Sequence, residues 1–279
     1  MPAHLSRRDF ARIAAAASAA APSLQGRPAP LTAQQAIDRI AKGAALSAGD
    51  PQTPVHGIAA SAMATMDVLT RASKENANLI VTLEPVFFGR TDAPLPDDPV
   101  YLAKKAFIEK HGLAVWRIGD LWRARKPDPF ALGLAGALAW KPYQVGGDPL
   151  RYDLPAVTLE ALAGRLKAQL KARAGIRVVG APETRVRRIA LLPGVSPLAA
   201  TMKSLPESDV VIAGETREWE SVEYAQDTVA AGQKKGLIML GRVLSEEPGM
   251  NICAQWLKTL VPEAPVRWIP TGDPYWRPA

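Results

Sequence analysis

The side chains best suited to nucleophilic or metal chemistry are few in this chain. Cys253 is the one cysteine, and His4, His56 and His111 are the only histidines. A lone cysteine makes no internal disulfide, Cys-rich zinc site or iron–sulfur site. Cys253 falls on the apolar face of a helix beside Ile252 and Trp256, the position of a core residue. His56 begins a strand and His111 ends a helix, so both read as boundary residues. Trp116, Trp122, Trp140 and Trp268 read as packing residues. Ser245 has no histidine near it in sequence to act as a base, and reads as a helix cap. Charge therefore has to do the chemistry. Three polar motifs follow apolar runs: Thr82-Leu83-Glu84-Pro85, Gly119-Asp120, and Gly241-Arg242 through Glu246.

The elements that must position these motifs alternate. Thr32 can cap a helix through about Ala45. Gly57–Ala60 and Leu79–Thr82 are short apolar runs, as expected of buried parallel strands, with a helix over Met63–Asn76 between them. A helix over Tyr101–His111, a strand over Ala114–Ile118, and helices through Leu138 and over Val157–Ala172 complete a first half. A second half has strands at Ile176–Val179, Arg188–Leu192, Asp209–Ile212 and Leu237–Leu240. Its helices begin at Ser196, Trp219 and Ser245, and Val266–Ile269 closes the chain. Alternating strands and helices predict an α/β fold with mainly parallel sheets flanked by helices. In such sheets, sites gather at the carboxyl ends of strands, where all three motifs lie.

The N-terminus is expected to stand apart from the fold. Ser6-Arg7-Arg8-Asp9-Phe10, followed by Ile13 and an alanine-rich run, reads as a twin-arginine-type signal over residues 1–21. It predicts export to the periplasm. Residues 22–31 read as a Pro- and Ala-rich linker. Removing residues 1–21 would take away three arginines and one aspartate, lowering the formal charge from +7 to +5. No apolar run reaches the roughly 20 residues of a membrane span. The basic clusters Arg123-Arg125-Lys126, Lys167-Lys171-Arg173 and Arg185-Arg187-Arg188 lack interleaved aromatics. They read as solvated faces, and no nucleic-acid partner is expected.

Four segments together resemble the Nif-three-like family, Thr-His-Glu-Pro branch. Asn78–Phe88 is similar to its strand and loop carrying that motif. Ser208–Glu215 is similar to its second-half strand ending in Gly-Glu. Leu240-Gly241-Arg242-Val243-Leu244-Ser245-Glu246 is similar to its Gly-His-x-x-Ser-Glu motif, and Asp273–Trp276 to its C-terminal close. The likeness runs from about Thr32 to the end. It implies a duplicated two-lobed α/β fold over residues 32–279, with halves of about 32–172 and 173–279. It also implies a toroidal homohexamer and a pair of divalent metals between the halves.

Carried over by position, the family's histidines are replaced. Leu83 stands at the first, Gly119 precedes the family aspartate at Asp120, and Arg242 stands in the last motif. The resemblance thus leaves Glu84, Asp120 and Glu246 as ligands, with Thr82, Leu83, Gly119, Arg242 and Ser245 lining the site or replacing metal. Carboxylates brought together repel one another unless a cation joins them. An oxygen-only trio suits weakly held Mg²⁺, Mn²⁺ or Ca²⁺ better than Zn or Fe. Alternatively, the Arg242 guanidinium supplies the positive charge. The first arrangement predicts a metal-dependent hydrolase with a metal-activated water. The second predicts a non-catalytic or altered-specificity oligomeric binding protein with a degenerate metal site and no cofactor, and it is the preferred expectation.

Overall fold

The computed structural model describes residues 31–276 and 278. The expected signal at 1–21 lies outside the described residues, as does the expected linker apart from Leu31. Helix α1 (Ala33–Asp38) starts where expected, with Thr32 accepting from the Gln35 amide and Gln35 reciprocating. It ends well short of Ala45.

The first sheet is wholly parallel, in the order β3-β2-β1-β9. Its strands are β1 (Ile58–Ser61), β2 (Leu79–Thr82), β3 (Ala114–Arg117) and β9 (Val266–Trp268). Every residue of β1 and β2 is buried, which explains the apolar runs Ile58–Ala60 and Leu79–Val81 that precede Ser61 and Thr82: helices or loops cover both faces. The crossovers are α2 (Met66–Lys74), capped by Thr65, and α3 (Pro99–Lys110), capped by Asp98 with Pro99 at its first position.

The second sheet is mixed, in the order β4-β6-β7-β8-β5. Its centre, β6 (Arg185–Val195), β7 (Val210–Glu215) and β8 (Gly236–Met239), is parallel. The edges β4 (Arg151–Thr158) and β5 (Arg177–Val179) run antiparallel. Strand β4 was not expected. The helix expected from Val157 begins only at Leu159 and forms α6 (Leu159–Gln169), with Thr158 as its cap. Pro155 disguises β4, but it sits on an edge where the register shifts between Asp153 and Val157, a place that tolerates a missing N–H.

The short α4 (Gly119–Arg123) follows β3 directly, and α5 (Pro129–Ala137) is capped by Asp128. In the second lobe, α7 (Leu198–Ser204) and α8 (Glu223–Ala230) flank the sheet, the latter preceded by a π turn over Glu218–Val222. Ser196 does not cap α7: its hydroxyl donates to the Leu192 carbonyl. A single cut near residue 172 does not separate the sheets. Strand β4 and helix α6 precede it yet belong with the second sheet, and β9 returns to the first.

Helix α9 (Arg242–Leu260) packs against β1 of one sheet and against β6 and β7 of the other. Met250, Cys253, Ala254 and Leu257 on α9 join the core beneath the first sheet. It crosses α5 closely, because a Cβ on Gly133 would lie 2.4 Å from the Gly249 nitrogen. Only glycine permits that approach. Among the described residues, no helix is long and apolar enough to cross a membrane.

Candidate functional site

The carboxyl ends of β2, β3, β6 and β8 meet at the first turns of α9. Glu84 projects from the loop after β2, and Glu246 from the second turn of α9, almost wholly buried at 2% exposure. The two carboxylates are joined by two arginines. Arg123, at the end of α4, bonds Glu246 Oε1 through Nη1 and reaches Glu84 Oε1 through Nη2 at 2.5 Å. Its Nη2 also lies 3.5 Å from Glu246 Oε2, so the guanidinium faces Glu246 as a fork. Arg242 reaches Glu84 Oε1 at 2.7 Å and Glu246 Oε2, one turn along α9, at 3.3 Å. Two negative and two positive charges thus form a closed ring. Burial lowers the Arg123 pKa, but the hydrogen bond to Glu246 and the charges of Glu246, Glu84 and Asp120 outweigh it and raise it overall. The Phe130 ring lies 5.5 Å from the Arg123 guanidinium carbon.

The surrounding backbone is built to fit this ring. Gly194 has φ +75°, and a Cβ there would come 2.5 Å from Glu246 Oε1. Its N–H donates to Ser245 Oγ at 2.9 Å, and that hydroxyl donates to the Arg242 carbonyl at 2.7 Å. Ser245 is therefore not the cap of α9, which begins earlier at Arg242; it ties α9 to β6. Thr82 is fully buried and donates to the Ala62 carbonyl. Leu83 is fully buried in the first core, and Gly119 is buried at φ +37°. These four expected site-lining residues support the site from behind and do not face the two cavities that flank the ring.

Asp120 is brought only to the rim. It is exposed and lines a polar cavity with Arg90, Arg117, Arg123 and Arg242. Sequence reasoning missed Arg123, which it grouped with Arg125 and Lys126 as a solvated face. The signal was its place one helical turn after Asp120.

The second cavity, of about 420 Å³, opens on the other side of Glu84, Arg242 and Glu246. Its walls are apolar apart from Glu84, Arg242 and Glu246 of that ring, Thr65, and one further charge, Lys104. Lys104 is 5% exposed and donates to the Val86 carbonyl. Burial pulls its pKa down to about 8, against a smaller opposing pull from Asp92. Next to Glu246, Glu247 turns to the C-terminal segment and accepts from the Thr271 and Gly272 amides. Burial raises its pKa, partly offset by those two amides and Arg71.

The residues present do not fit the family's metal pair. Glu84 Oε1 and both oxygens of Glu246 are engaged by guanidinium groups, whose fixed charges oppose a dication at the same place. Among the described residues, no group of three or more His, Cys, Asp or Glu side chains is placed to hold a metal ion, so the expected trio with Asp120 is not assembled as such a group.

Comparison with known proteins rests on shape. No family model and no curated protein matches the chain. Solved structures do. A hypothetical protein of Staphylococcus aureus is similar at 15% identity and a TM-score of 0.66, over 89% of this chain and 100% of that one. A Bacillus cereus protein related to NIF3 is similar at 15% identity and 0.65, over 90% and 100%. The protein ybgI is similar at 19% identity and 0.61, over 83% and 90%. With its parallel first sheet and mixed second sheet, each flanked by helices, the chain has the α/β fold of NIF3-type proteins.

Proposed function

We propose that this chain is a binding protein built on a Nif-three-like scaffold, in which two arginines take over the part that metals play in the family. The pairing of Glu84 and Glu246 with both Arg123 and Arg242 carries this reading. A carboxylate held by a guanidinium fork is neutralised without a metal, and the ring itself offers no metal-like open position at which water would be activated. The chain then binds rather than hydrolyses. The family likeness adds self-association, as a homohexamer. The twin-arginine-type N-terminus adds export to the periplasm.

Elemental analysis tests the central part. Protein purified after growth with added Mn²⁺, Mg²⁺ and Zn²⁺ is expected to carry far less than one ion per chain. Stoichiometric metal, with a hydrolytic activity lost in chelator and in Glu246→Gln, would establish the hydrolase instead. Light scattering and a reporter fused after residue 31 test the hexamer and the export.

A further inference from the structure

The apolar cavity beside the ion-pair ring contains a buried charge, Lys104, that makes no ion pair among the described residues. Lys104 Nζ donates to the Val86 carbonyl and has the Phe88 ring 5.2 Å away; among the described residues no carboxylate pairs with it, and the charge of Asp92 acts on it from beyond ion-pair distance. Of the four-membered ring nearby, Glu84, Arg242 and Glu246 line the cavity and are held in ion pairs, which leaves Lys104 as the charge on this lining outside an ion pair. An ammonium has three N–H donors, and one backbone carbonyl satisfies one of them. A buried cation in this state is costly, unless an anion enters the cavity to meet it.

The rest of the cavity suits an apolar body. Met63 and Met66 lie on one side, Val100 on α3 and Val243 on α9 on others. Methionines provide an adaptable lining. Phe88 closes the Lys104 end, although 61% of it is exposed. Its backbone has φ +66°, a conformation rare for a bulky residue, and this holds the ring over Lys104. Strain of that kind gathers at ligand clamps.

We infer that this cavity binds a small amphipathic monocarboxylate, its carboxylate on Lys104 and its apolar body between Met63, Met66, Val100 and Val243. The inference deepens the binding reading above and rests on it, since arginines in place of metal leave this cavity next to a neutral ring. The lowered pKa of Lys104 fits the same picture: the free cavity disfavours the ammonium, and a bound carboxylate would restore it.

Calorimetric titration of the full-length protein with octanoate, and with octanamide as its neutral counterpart, tests this. Octanoate is expected to bind saturably and about tenfold or more tightly than octanamide. Lys104→Met should remove that preference, while Lys105→Met, on the exposed side of α3, should retain it. Val100→Glu, at an exposed position that does not threaten folding, should weaken octanoate by placing a like charge at the mouth. No octanoate binding at millimolar concentration, equal binding of the two probes, or full octanoate affinity in Lys104→Met would overturn the inference. The same samples are assayed for metal. Metal-free protein that ignores octanoate removes this inference and leaves the arginine reading standing. Stoichiometric metal removes the arginine reading, and octanoate binding lost with chelator then removes this inference too.

Discussion

Two charged regions border one cavity and treat their charges in opposite ways. In the ring, Glu84, Glu246, Arg123 and Arg242 satisfy one another, with Glu246 nearly excluded from water. Elsewhere on the lining, Lys104 is almost as deeply buried and has a carbonyl and aromatic faces but, among the described residues, no acid within ion-pair reach. Paired charges cost little and fix geometry, so the ring works as a structural lock between β2, α4 and α9. An unpaired buried charge lowers stability and is a feature of a site that awaits a ligand.

The largest effect should come from breaking the lock. Arg123→Ala leaves Glu246 buried with only the longer contact to Arg242, and should destabilise the protein by about 3 kcal/mol in urea unfolding. Combining it with Glu246→Gln should cost less than the two changes summed, because the stranded charge is gone. Additive costs would mean that the two residues are not coupled.

Lys104 should behave in the opposite sense. Its pKa is lower in the folded than in the unfolded chain, so the unfolded chain binds more protons between about pH 8 and the ordinary lysine value. Wild-type stability should rise with pH across that window. Lys104→Met, which lacks the group, should show a flatter profile, so its stability relative to wild type should fall from pH 7 to pH 10. Parallel profiles would contradict the unpaired lysine.

Arg242 is about one-third exposed at its side chain, so Arg242→Ala should cost only about 1 kcal/mol. The smallest effect belongs to Glu247, whose folded pKa is raised. Wild type should lose stability as pH rises through the carboxylate range. Glu247→Gln, which can still accept from Thr271 and Gly272, should not share that loss.

The sequence made some of this legible and hid the rest for physical reasons. Strand β2 was readable to the residue, because the β-branched-rich run Leu79-Ile80-Val81, closed by Thr82, suits a strand covered on both faces. Glu84 and Glu246 were found through their motifs at strand ends. Arg123 was hidden because its neighbours Arg125 and Lys126 suggested a solvated face, and only the turn of α4 sends it inward. Lys104 carried a signal that went unread. It lies on the buried stripe of α3 with Tyr101 and Ile108, three and four residues apart, where an apolar residue belongs. Strand β4 was masked by Pro155. Ser245 was misplaced as a cap because α9 begins a turn earlier, at Arg242.

The arginine-for-metal account is tested most directly by thermal unfolding with and without metal. A metal that binds only the folded state raises the melting temperature by mass action. The account predicts the same melting temperature in excess chelator as in millimolar Mn²⁺ or Mg²⁺. A rise with metal that chelator reverses, and that Glu246→Gln abolishes, would contradict it.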